Sequence, residues 1–87
     1  MKVYQTKVFK KHYKTRISGL DEKIIEIIIG TLLNQKPLDI KFNDHKLTGG
    51  FSHCRECHIK NDLLLIYQII EDELRLIDIG THSQLFG

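Results

Sequence analysis

The chain has 87 residues, enough for one domain (1–87) and too few for two. Its 41% hydrophobic and 28% charged composition is that of a globular protein, and no apolar run approaches the roughly 18 residues of a membrane span. The net charge of +2 is unevenly spread: residues 1–40 carry eight basic and four acidic side chains, residues 41–87 five and seven, and the first 16 residues hold six cations and no acid. After Met1-Lys2 comes VYQTKVFKKHYK, which lacks the apolar core of an export signal. A cytoplasmic location is therefore expected, with no membrane contact and with reduced cysteines.

In chain order, VYQ at 3–5 reads as a short first strand. Thr6 then caps a helix through KVFKKHYKTRI, on which Phe9, Tyr13 and Ile17 recur at i, i+4, i+8 and form one face. Lys7, Lys10, Lys11 and Lys14 fall elsewhere on the wheel. Ser18-Gly19 breaks the pattern. Asp21 is expected as the next N-cap, with Leu20 and Ile25 as a hydrophobic staple, and a second helix from Glu22 to about Gln35 before Pro37. Its apolar set (Ile24, Ile25, Ile27, Ile28, Ile29, Leu32, Leu33) is broad enough to bury most of the helix against a sheet. Residues 38–50 read as loop, with at most a short strand near Lys46–Thr48. Three strand-like runs follow, Phe51–Lys60, Leu63–Ile70 and Leu74–Ile79, joined by links short enough for hairpins. The expected fold is α+β: two N-terminal helices packed on an antiparallel sheet of about four strands.

HCRECH, residues 53–58, contains a Cys-x-x-Cys-His string, the attachment pattern of c-type haem. On a strand, however, alternate side chains point to opposite faces. Cys54, Glu56 and His58 would share one face; His53, Arg55, Cys57 and Ile59 would share the other. The two cysteines then cannot serve one haem or one zinc, and no second Cys/His pair completes a four-ligand site. No metal or cofactor is expected, and at least one cysteine reads as a small core residue.

Five histidines remain to be explained. His12 lies on the first helix and reads as a surface or boundary residue, and His53 is ambiguous. His45, His58 and His82 lie in the half with the strands. Imidazole accepts and donates protons near neutral pH, so these histidines with nearby carboxylates would suit metal-free acid–base chemistry.

The segments DHKLTGG, RECHIKNDLLLIY and GTHSQLFG, in that order and spacing, resemble the YafQ-like branch of the RelE/ParE toxin superfamily, ribosome-dependent mRNA interferases of bacterial toxin–antitoxin systems. The motifs cover about half the chain. The resemblance implies a microbial-RNase-like α+β fold and cleavage of mRNA in the ribosomal A site. It also implies a cognate antitoxin as partner, through which operator DNA would be contacted. It assigns His45, His58, Asp62, His82 and Phe86 as the functional positions. Two family features differ: Asn61 replaces a frequent Pro before the acid, and Leu63 replaces a frequent aromatic after it. In the mechanism so implied, His82 is the general acid, Asp62 or His45 the base, and His58 an orienting or charge-stabilising group. Phe86 would hold a base, Lys46 and Arg55 would contact phosphate, and the basic first helix would grip ribosomal RNA. The alternatives are a gyrase-poisoning toxin of the same fold, a non-catalytic RNA- or partner-binding module, and a metal or haem protein.

Overall fold

The computed structural model describes residues 1–87. Strand β1 (Lys2–Gln5) leads into helix α1 (Lys7–Arg16) and helix α2 (Gly19–Leu33). Strand β2 is only His45–Lys46. Then come β3 (Arg55–Lys60), β4 (Leu63–Ile70), β5 (Glu73–Gly80) and a terminal helix α3 (His82–Phe86). The strands form one sheet in the order β1-β5-β4-β3-β2. The three hairpin-linked or neighbouring pairs are antiparallel, while β1 runs parallel to β5. The α+β class stands, with five strands rather than about four, and with one parallel pair.

The core lies between the helices and one face of this sheet. Phe9 of α1, Ile25, Ile28 and Leu32 of α2, and Cys57, Ile59, Leu63, Leu65, Tyr67, Leu74, Leu76 and Ile79 of the sheet form a buried cluster, with Tyr13 and Ile17 packed against it. Each fully buried isoleucine or leucine here contributes about 1.5–3 kcal/mol of transfer free energy. Cys57 is one of these core residues. Both cysteines are free, and burial pushes the Cys57 thiol up to about 12. The segregation of sheet faces places Arg55, Cys57 and Ile59 opposite Glu56 and His58, as alternation requires.

Local details depart from the sequence expectations. Thr6 caps α1, its hydroxyl accepting from the Phe9 N–H at 2.9 Å. The N-cap of α2 is Ser18 rather than Asp21, and the helix runs from Gly19 to Leu33 instead of to about Gln35. Asp21 instead accepts from Ser18 Oγ at 3.0 Å and forms an ion pair with Lys60 of β3 at 3.1 Å, so that α2 is tied to the sheet. Leu20 is 86% exposed, so no staple with Ile25 forms, and Ile27 is also exposed. Gln35 closes the helix with φ of 56°. The run expected as strand from Phe51 begins at Arg55, because Gly49–Phe51 forms a 3-10 turn that leaves His53 and Cys54 outside the ladder.

Candidate active site

The sheet face opposite the helices gathers three histidines and two carboxylates from four elements. Register sets the first pair: His45 of β2 lies opposite Glu56 of β3. His45 Nε2 is 3.1 Å from Glu56 Oε2, and His58 Nε2 is 3.6 Å from the same oxygen. Across the sheet His58 lies opposite Leu64, which lies opposite Gly80. That row brings the end of β5 near His58, and α3 starts one residue later with His82. The rings of His45 and His58 are 6.1 Å apart, and those of His58 and His82 are 6.0 Å apart. Phe86 continues the line, 6.2 Å from His82 and edge-on to Phe51 at 5.7 Å.

His82 is held by Asp62, in the two-residue turn between β3 and β4. Asp62 Oδ1 accepts from the His82 backbone N–H at 3.0 Å and pairs with His82 Nδ1 at 2.9 Å. The backbone bond and then the imidazole hold the Asp62 carboxyl below its usual range. With Nδ1–H committed to Asp62, Nε2 of His82 is the nitrogen left for chemistry. Thr81 and Gln84 cap this helix reciprocally: the Thr81 hydroxyl accepts from the Gln84 N–H, and the Gln84 side chain accepts from the Thr81 N–H. A Cβ on Gly80 would stand 2.6 Å from Arg16 Nη1 and 2.8 Å from Gln84 Oε1, so both side-chain ends would have to move away from the start of α3.

His45 bridges a backbone acceptor and Glu56. Its Nδ1 lies 2.7 Å from the Asn43 carbonyl, which can only accept, and its Nε2 faces Glu56 Oε2 at 3.1 Å. Glu56 is buried, and its Oε1 has no hydrogen-bond partner. An unpartnered buried carboxylate oxygen costs free energy that is recovered only when a ligand or proton reaches it. His58 is less committed: its 3.6 Å approach to Glu56 and 3.5 Å approach to Asn43 Nδ2 are both too long for full hydrogen bonds.

Glu56 is the site residue that sequence reasoning left without a role, although strand alternation already placed it beside His58. It also completes a donor set that the cysteine-centred reading did not consider. One donor atom each from His45, Glu56 and His58 lie within 4.8 Å of one another. Mixed imidazole and carboxylate donors suit zinc and related first-row ions.

Arg55 and Lys46 are not brought to this cluster. They lie opposite each other in the β2–β3 register, one residue off from the His45–Glu56 pair, and so on the other face. The Arg55 guanidinium forks onto Asp44, Nε to Oδ1 and Nη2 to Oδ2, both at 3.2 Å, and the Tyr67 hydroxyl donates to Asp44 Oδ1 at 2.5 Å. The bonds to Asp44 push Arg55 upward; burial, then Asp44, pushes Tyr67 upward. This clamp sits immediately before the two-residue strand that carries His45. His12, read as a surface or boundary residue, pairs with Asp78 at 2.7 Å and ties α1 to β5.

A helix pair on one sheet face, with imidazoles and carboxylates lined up on the other, defines a small α+β protein that concentrates titratable side chains at one end of its sheet. The chain belongs to a family described as the bacterial toxin of type II toxin-antitoxin systems, YafQ, whose family model matches residues 1–87. A Haemophilus influenzae protein bearing the YafQ name is 33% identical over 88 residues, 87% of this chain and 86% of that one. The mRNA interferase toxin YafQ of Escherichia coli K12 is 39% identical over 54 residues, 62% of this chain and 59% of that one. Among solved structures, a metal-bound toxin from Helicobacter pylori superposes with a TM-score of 0.90, at 42% identity and 99% coverage of both chains. The E. coli DinJ-YafQ complex gives 0.83 at 27% identity, covering 98% of this chain and 97% of that one.

Proposed function

We propose that this toxin is an endoribonuclease that cuts mRNA in the ribosomal A site, inhibiting translation until a cognate antitoxin neutralises it. The observation that carries this reading is the line of three imidazoles ending at Phe86, with His82 oriented by Asp62. Such a line spans the atoms of one phosphodiester step: a base for the 2′-OH, charge for the phosphoryl oxygens and an acid for the leaving 5′-oxygen. The E. coli relative is named an mRNA interferase, and a relative has been crystallised with the antitoxin DinJ.

In the proposed reaction, the His45–Glu56 pair takes the 2′-OH proton through the half-exposed His45 ring. The 2′-oxygen attacks the adjacent phosphorus in line. His58, between the other two imidazoles, stabilises charge on the phosphoryl oxygens. His82 Nε2 delivers a proton to the departing 5′-oxygen, leaving a 2′,3′-cyclic phosphate and a 5′-hydroxyl. Asp62 is already spent on His82 and held as a weak base, so it acts by positioning rather than by proton abstraction. Phe86 supplies an aromatic face for a neighbouring base, a contact worth about 1–3 kcal/mol. Exposed Lys46 and the cations of α1 contact RNA phosphates outside the cut. Arg55 acts through Asp44 on the β2 strand.

A divalent ion held by His45, Glu56 and His58 would supply Lewis-acid charge at the phosphoryl oxygens, but each step above uses the chain's own groups. The test is cleavage on programmed ribosomes with the cut mapped by primer extension, in buffer that keeps ribosomal Mg²⁺. Wild type is expected to cut at the A site, His82→Ala to lose the cut, and 1,10-phenanthroline to leave the wild-type rate unchanged. An uncut message with folded wild type would overturn the reading, and loss of activity with the chelator would overturn its metal-free form.

A further inference from the structure

Beside the histidine line runs a groove. It lies between α2, residues 37–43 and the end of β3, and has a volume of about 750 Å³, within the range of small-molecule sites. His58 lines both the groove and the imidazole cluster, so the two are continuous. Ile24 and Ile27 form its apolar wall, Asn43 and Asn61 supply side-chain amides, and Lys41 supplies an ammonium group 5.2 Å above the Phe42 ring. Ile27 is 60% exposed, a large apolar side chain beside the buried Ile28 that the core does not use.

We propose that this groove is a nucleotide subsite: it takes the mRNA nucleotide next to the scissile phosphate and sets which codons are cut. The inference rests on the endoribonuclease reading and deepens it. A base needs an apolar wall to lie against, and amides able both to donate to and accept from its edges. Its phosphate needs a cation. The groove presents all three within reach of His58, where the reacting phosphate would sit. An amphipathic helix of a protein partner would instead need a continuous apolar floor, and here lysine and asparagine interrupt it.

The experiment maps cut sites along a message of mixed codons on programmed ribosomes for wild type, Ile27→Glu and Asn61→Ala. Both positions are exposed, and thermal melts check folding. Both variants are expected to redistribute the cuts among codons and to lower kcat/KM by about fivefold or more, through KM, as loss of one base contact would. An unchanged cut distribution, or a fall in kcat alone, overturns the proposal. Unchanged cleavage with lost binding of the co-expressed antitoxin also overturns it and gives the groove to a protein partner. If wild type leaves all message uncut, the function reading fails separately. The groove is then decided by NMR titration with a 2′-O-methyl RNA trinucleotide: shifts of the Ile24 and Ile27 methyls support it, and their absence overturns it.

Discussion

Asp62 and Glu56 are both carboxylates beside histidines, yet their surroundings assign them different work. Asp62 is exposed, and its Oδ1 accepts from both the backbone and the ring of His82. Glu56 is buried and keeps one oxygen unpartnered. A carboxylate already satisfied by donors is a poor base. Asp62→Asn is therefore expected to lower kcat by about 100-fold or more, through misorientation of His82, while the acidic limb of the pH–rate profile stays in place. If that limb vanished in Asp62→Asn, Asp62 would be the base and the present assignment would be wrong. His45→Ala is the companion variant, expected to remove the limb. The residue types at this site were legible in the sequence because imidazole is rare and chemically specific. The role of Glu56 was not, since only the β2–β3 register reveals that His45 comes to it from 11 residues away in sequence.

Among the elements, β2 is the weakest and carries the most consequence. Two residues make few ladder bonds, so their position must be held from elsewhere. Asp44 does this, bonded by Arg55 on β3 and Tyr67 on β4. Tyr67→Phe removes the hydroxyl bond to a charged acceptor, at a cost of about 1.5–3 kcal/mol. For a domain of this size that lowers Tm by roughly 6 °C or more, measurable by thermal melt. α3 is held more simply, by its capping box and by the space that Gly80 leaves. Gly80→Ala is expected to displace Arg16 or Gln84 and to reduce cleavage on ribosomes more than it reduces Tm, because α3 adds little to the core but carries His82. The long strands and the first helix were readable from periodicity, which reports burial over many residues. β2 was legible only as a short strand near Lys46–Thr48, one residue late at its start, and α3 not at all: two- and five-residue elements have no period to detect, and side-chain clamps from distant strands make them. The end of α2 was misjudged for a related reason, since Ser18 rather than Asp21 takes the N-cap when Lys60 on β3 engages Asp21.

At the scale of the whole molecule, two depressed aspartates act as fasteners between layers. Asp21 ties α2 to β3 through Lys60, whose bond is the main cause of its lowered pKa; Asp62 ties the β3–β4 turn to α3. In the folded chain both carboxyls sit below the ordinary aspartate value of about 3.8. The unfolded chain therefore binds more protons in the window below 3.8, and by linkage stability falls with pH there. The contribution is fully present above the unfolded value and lost as pH drops through the folded one. The comparison must isolate the one carboxylate. Urea unfolding of wild type and Asp21→Asn supplies it: wild type is expected to be the more stable by a constant margin from pH 7 to about pH 5, and the margin is expected to shrink as pH falls below 3.8. A margin that held constant into strong acid would mean that Asp21 titrates alike in the folded and unfolded chains. The ion pair with Lys60 would then contribute nothing to joining helix and sheet.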